Sequence, residues 1–273
     1  MKQRSVLYKF GLCLFLFFII PITYAAKLAL VIDDFGYREQ NEEQVILLSP
    51  EITIAVLPNT PNGTHIATFA HQNGNDVIIH LPMAPISKQP LEVNTLVPSM
   101  SEDEIQRIVG QSIEKVPYAI GMNNHMGSLM TADLAGMEKV MKSLSHYSLF
   151  FLDSKTIATS KGILAAKKYR VPTVVRDIFL DDTQNEAAIA HQFNLAIKHA
   201  QKYGSAVAIG HPYSTTVKVL KEKLAQLPPD IELVKVSTLV QKPEKIKLCD
   251  LVEKYKVDVE QCIFEYMIIK QSQ

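Results

Sequence analysis

Two adjacent carboxylates, Asp33 and Asp34, end an apolar run at residues 28–32. Side chains alternate across a strand, so such a pair cannot be spent on one core. Four further apolar runs end in a side chain able to bind a metal or carry a proton. His80 follows Val77-Ile78-Ile79, and His125 lies in Gly121-Met122-Asn123-Asn124-His125-Met126-Gly127-Ser128. Asp153 follows Phe150-Phe151-Leu152, and His211 follows Ala208-Ile209-Gly210. One carboxylate with two imidazoles suits Zn²⁺, which takes three protein ligands at a catalytic centre and leaves a position for water. A second carboxylate could take that water's proton, and a protonated His211 could give one to a departing amine.

Each residue has a plainer reading. A lone strand-end histidine is commonly a hydrogen-bonded core or loop residue, and Asp153 could cap the turn after it. Convergence separates the two readings: a parallel sheet or barrel brings all its strand C-termini to one face, whatever their distance in sequence. Asn124, Asp153 and Tyr213 are further pocket candidates on that face. His65, His71, His146, His191 and His199 fall in helical or loop segments and read as surface or packing residues.

The elements that must position these groups are legible as short β-branched runs alternating with amphipathic segments, an α/β pattern built on a parallel sheet. Seven runs stand out, at residues 28–32, 53–57, 77–81, 118–122, 149–152, 173–175 and 206–209, with a weaker eighth at 231–236. Ser101 followed by Glu104 predicts a capped helix with Ile105, Ile108, Val109, Ile113 and Val116 on one face. Thr131 is the expected cap of a second helix bearing Leu134, Met137, Val140, Met141 and Leu144. A third helix is expected from about Asn185 to Tyr203, ended by Gly204.

Residues 1–25 read as a secretion signal: Lys2, Arg4 and Lys9 precede an apolar stretch, Pro21 breaks it, and Thr23 and Ala25 supply the small residues of a cleavage site. The stretch is short for a membrane span, so no stable span is expected after cleavage. Loss of those three cations leaves a slightly acidic chain from a balance of 28 basic and 28 acidic side chains, which gives no basis for a nucleic-acid partner. Residues 26–240 then form one αβ domain, and residues 241–273 read as a charged helical tail, either a packing element or a protein-partner segment. That tail holds Cys249 and Cys262, which could pair in an oxidising compartment or stay reduced.

Rival chemistries find little. The chain has no Gly-x-Ser-x-Gly elbow, no phosphate loop and no His-Glu-x-x-His helix. A glycosidase could pair Asp33 or Asp34 with Asp153, but would leave three strand-end histidines unused. With no Trp in the chain, Phe35, Tyr37 and Tyr213 are the aromatic side chains left for sugar stacking.

Taken in order, Ile32-Asp33-Asp34-Phe35-Gly36, His80-Leu81-Pro82-Met83, Asn123-Asn124-His125-Met126-Gly127-Ser128, Asp153-Ser154 and Gly210-His211-Pro212 resemble the divergent polysaccharide deacetylases. The resemblance implies a distorted (β/α) barrel of about seven parallel strands and a metal-dependent carbohydrate deacetylase, a hydrolase acting on acetylated sugars of the cell envelope. It also implies Asp33 as the base, Asp34 as a metal ligand and His211 as the proton donor to the leaving group. Ordinary deacetylases place a second histidine four residues after the first, where this chain has Ala84. His125 is therefore inferred to join Asp34 and His80 as the third ligand, with zinc expected and other divalent transition metals acceptable to the same N/O set. The alternative is a non-catalytic periplasmic binding or regulatory module that keeps the barrel and its pocket. Either way the expected location is periplasmic or secreted.

Overall fold

Side chains along the first strand, β1 (Ala26–Phe35), sort by parity. Leu28, Leu30 and Ile32 pack into a cluster shared with the helices, whereas Ala29 and Val31 pack into a second cluster to which no α-helix contributes. A strand apolar on both faces is one covered on both faces, as parallel strands are. The structure, a computed structural model, describes residues 25–37 and 39–242. The expected signal segment and the tail with Cys249 and Cys262 lie outside the described residues.

After β1 come α1 (Glu39–Ile46), β2 (Thr53–Val56), α2 (Gly63–Gln72), β3 (Val77–Met83), α3 (Glu102–Lys115) and β4 (Ala119–Met126). There follow α4 (Leu134–Leu144), β5 (Phe150–Asp153), α5 (Gly162–Tyr169), β6 (Thr173–Val175) and β7 (Ile178–Phe179). The last elements are α6 (Glu186–Tyr203), β8 (Ser205–Gly210), α7 (Ser214–Leu224), β9 (Ile231–Leu233) and a 3₁₀ turn at Val236–Leu239. The strands are parallel and ordered β6-β5-β4-β3-β2-β1-β8-β7, with β9 pairing β1 off this path. The sheet curls into an (β/α) half-barrel with one seam, because β6 and β7 do not pair although only Arg176 and Asp177 join them. Arg176 N donates to Asp153 O at 3.1 Å on one side, and Asp177 N to Val207 O at 2.9 Å on the other. Beyond the 3₁₀ turn, Gln241 pairs antiparallel with Thr173 of β6 through N–H···O bonds of 2.8 and 3.0 Å.

Val31, Ala55, Ile78, Leu152, Val174 and Ile209 meet inside the barrel, and Val236 of the 3₁₀ turn joins them. At β4 the inward position is Gly121, whose missing Cβ would lie 2.5 Å from the Phe150 ring; that ring fills the space instead. A packed interior leaves chemistry only at the strand ends.

Local signals explain most boundaries. Ser101 Oγ accepts from Glu104 N at 3.2 Å at the start of α3, and Asn185 Oδ1 from Ala188 N at 2.8 Å at the start of α6. Gly204, at φ 86°, ends α6 in the left-handed region. The cap of α4 is Asp133, whose Oδ1 accepts from Gly136 N at 2.6 Å, and not Thr131, whose hydroxyl is committed to Gly127 O at 2.8 Å. Met137, Val140, Met141 and Leu144 are buried as expected, while Leu134 lies at the exposed edge of that stripe. No helix among the described residues is long and apolar enough to cross a membrane.

Candidate metal and catalytic centre

The inward parity that fills the barrel with apolar groups switches to polar groups at the carboxyl ends. Asp33 continues Ala29 and Val31, His80 continues Ile78, Asn123 and His125 continue Gly121, and His211 continues Val207 and Ile209. Asp34, by alternation, should face outward. It does not, because its φ is 63° and the register of β1 against β2 shifts between Ile32 and Phe35. This irregularity turns two consecutive carboxylates to one side. Two buried oxygens hold the turn: Glu42 Oε2 accepts from Gly36 N at 2.9 Å, and Glu42 Oε1 from Tyr37 N at 3.0 Å. Gly36 itself stands at φ 119° with Thr60 Oγ1 only 2.0 Å from where a Cβ would be, so no side chain fits there.

Asp34 Oδ1 lies 2.9 Å from His125 Nδ1 and 3.2 Å from His80 Nε2. These two nitrogens are 3.0 Å apart. Among the described residues this trio forms the one cluster able to hold a metal ion. Despite its neighbours, Asp34 Oδ1 is a buried oxygen without a hydrogen-bond partner. An oxygen orphaned between two imidazole nitrogens is the donor set of a borderline cation such as Zn²⁺, and these residues fit one. Burial pushes the Asp34 carboxyl up, but the His125 and His80 imidazoles outweigh it and hold the group well below the usual carboxylate range. On its open side the trio faces a cavity of about 240 Å³ lined by Asp34, Tyr37, Leu57, Glu92 and His125.

Asp33 is fully enclosed. Burial raises its carboxyl above the ordinary value against the opposing pull of His80, His211 and an Asn123 hydrogen bond. His211 stands across the site, its Nε2 3.8 Å from Asp34 Oδ2. Its Nδ1 lies 2.9 Å from Asp181 Oδ1, and Asp181 Oδ2 accepts from His211 N and from Thr216 Oγ1, both at 2.7 Å. Burial works against the charged ring, yet the Asp181 bond and charge overcome it and raise the His211 pKa. Phe179 and Tyr213 flank the imidazole at centroid distances of 5.5 and 5.4 Å.

Asp33, Asp34, His80, His125 and His211 are thus brought together, with Tyr213 beside them. Asn124 and Asp153 are not, and parity is the reason: both point away from the barrel interior. Asn124 Nδ2 donates to Met126 O at 2.6 Å and its Oδ1 accepts from Ser154 N at 3.0 Å. Asp153 accepts from Lys155 N at 2.9 Å and from Ser160 Oγ at 2.7 Å, which is the turn-capping role. Phe35 is buried in the core and unavailable for stacking; Tyr37, 54% exposed, is available.

Asp181 carried a readable signal that went unused. Ile178-Phe179-Leu180-Asp181-Asp182 repeats the apolar-run-then-paired-acids pattern of β1, but on a strand too short to register. Glu92, with Oε1 3.8 Å from His125 Nε2, comes from a long irregular segment that offers no such pattern.

The strand ends of an open parallel barrel thus hold an Asp-His-His cluster, a second carboxylate and an Asp-paired histidine. The chain belongs to the divergent polysaccharide deacetylase family, whose model matches residues 30–240. It is 55% identical over 220 residues to the uncharacterized protein YibQ of Escherichia coli K12, covering 81% of this chain and 69% of that one. An uncharacterized Haemophilus influenzae protein is 42% identical over 214 residues, covering 78% and 76% respectively. The crystal structure of an uncharacterized Agrobacterium tumefaciens C58 protein superposes with a TM-score of 0.74 at 22% identity, over 80% of this chain and 90% of that one.

Proposed function

We propose that the protein is a metal-dependent hydrolase that removes acetyl groups from an N- or O-acetylated carbohydrate of the cell envelope. The observation that carries this reading is the orphaned Asp34 Oδ1 between His80 Nε2 and His125 Nδ1, with Asp33 and His211 on either flank. Asp34, His80 and His125 would hold a zinc or similar divalent ion, which when bound would supply Lewis-acid polarisation of the substrate carbonyl. Asp33 takes the proton of the attacking water, and its raised pKa makes it a stronger base than an exposed carboxylate. His211 Nε2 then delivers a proton to the departing sugar nitrogen or oxygen, and Asp181 keeps the ring turned for that transfer. Tyr37 and Leu57 offer apolar surface beside the reacting carbonyl. A carboxylate of raised pKa opposite a histidine whose Nδ1 is bound by Asp181 suits proton transfer, which supports the catalytic reading over the non-catalytic one. The basic and apolar N-terminal sequence supports an envelope location.

The test is acetate release from acetylated glycan fragments and simple acetyl esters by zinc-loaded protein, beside Asp33→Asn. Release by the parent and its loss in the variant is the expected result. No release from any acetylated substrate, with zinc bound, would sink the hydrolase reading.

A further inference from the structure

Asn123 is 0% exposed and lies between two residues that the proposed reaction uses for different tasks. Its Nδ2 donates to Asp33 Oδ1 at 2.8 Å and more weakly to Ser154 Oγ at 3.3 Å. Its Oδ1 lies 2.7 Å from His80 Nδ1, and the two residues are direct cross-strand partners in the β3/β4 register. The orientation of the amide follows from chemistry. A carboxylate only accepts, so the NH₂ faces Asp33 and the carbonyl must face His80. That carbonyl also only accepts, so His80 Nδ1 carries hydrogen and Nε2 is the nitrogen left to offer a lone pair. Nε2 is the atom 3.2 Å from Asp34 Oδ1. On the other side, Asp33 Oδ1 is occupied by the amide hydrogen, which leaves Oδ2 to receive a proton.

We propose that Asn123 is a positioning residue that sets the base and the metal ligand together: one buried amide fixes which Asp33 oxygen takes the proton and which His80 nitrogen is presented to the metal. This inference rests on the metal-dependent reading above. Neighbouring Asn124 provides the contrast, since its amide binds backbone atoms of Met126 and Ser154.

The experiment titrates Co²⁺ into the chelator-treated mature protein, following its visible absorption, and measures turnover of the zinc-loaded form, for the parent, Asn123→Ala, Asn123→Asp and Asn124→Ala. Loss of an outer partner of a ligating histidine weakens metal binding by about 10–100-fold, which is the expectation for Asn123→Ala. In Asn123→Asp the new carboxylate still accepts from His80 but stands beside Asp33, and two carboxylates at that distance hold one proton between them, so Asp33 is no longer a free base. This variant should recover cobalt affinity close to the parent's while kcat stays down by about 100-fold with KM little changed. Asn124→Ala should lower thermal stability and leave cobalt affinity and kcat alone. If Asn123→Ala does not fold, the split between affinity and kcat in Asn123→Asp carries the test. Folded Asn123 variants that match the parent in both, or lose both in equal proportion, overturn the proposal. A parent that binds no cobalt removes the metal reading and this inference with it. A parent that binds cobalt but releases no acetate refutes only the hydrolase reading, and the affinity comparison still decides Asn123.

Discussion

Asp181 grips His211 at two points, Oδ1 on the ring Nδ1 at 2.9 Å and Oδ2 on the backbone N at 2.7 Å. The ring therefore cannot turn without breaking a bond to a buried carboxylate. A donor works while it is protonated, so its contribution is complete at low pH and is lost as pH rises through its folded pKa. Because that pKa is raised, the alkaline limb of the kcat profile should lie above the usual histidine value near 6.5. Asp181→Asn should move the limb to lower pH and reduce kcat by about 100-fold. A pH–rate profile of both proteins checks it, and an unmoved limb would remove His211 from the donor role.

Asp33, as the proposed base, should set the opposite limb. A base works while deprotonated, so activity should fall as pH falls through a carboxyl pKa that burial holds above the ordinary range. Asp33→Asn should retain metal and lose about 10²–10⁴ in kcat. Metal content by elemental analysis and acetate release on the same sample separate the two effects; equal rates would mean the base is elsewhere.

Metal uptake should release protons. Burial opposes the charged form of His80, but the Asp33 charge and the contacts to Asp34 push its pKa up to about 9 in the metal-free protein. Below that value the ion must displace a proton, so apparent zinc affinity should weaken as pH falls, by about tenfold per unit for one proton. Calorimetric titrations in buffers of different ionisation heat count the protons. His80→Ala and His125→Ala should each abolish stoichiometric binding, and retention in either would break the proposed ligand set.

Much of this centre was legible because strand parity is strict. Asp33, His80, His125 and His211 each continue an inward-facing series, so apolar runs ending in a polar group were enough to find them. The same rule, carried one step further, would have excluded Asn124 and Asp153 and promoted Asn123. Asp34 broke the rule through a positive φ, a property of the backbone turn and not of residue type. Its inclusion came from the adjacency of two acids, and its ligand role from the family resemblance. The fold was readable down to strands of three residues, β6 and the weaker β9 included. β7, with two, owes its place to hydrogen bonds with β8 that no local pattern announces, and with it went Asp181.

The turn after Asp34 should tolerate nothing larger than glycine at position 36. Gly36→Ala adds a methyl into Thr60 and imposes φ 119° on an L side chain. Strain of about 1–3 kcal/mol and a similar packing cost are expected. Denaturant unfolding reads the stability, and weakened zinc binding in the folded fraction would tie the loop to the site. A variant as stable as the parent would show that the loop relaxes freely.

The seam of the barrel bears on how readily another chain could add itself to the sheet. A strand with one side unpaired is a template on which another chain can add itself, and β6 would be such a strand were it not for the clasp that Gln241 closes on Thr173. Those two backbone bonds occupy the edge that an added strand would need. A chain shortened to end before residue 236 would keep Asp33, Asp34, His80, His125 and His211 and lose those bonds, exposing a β-branched edge of Thr173-Val174-Val175 to its own copies.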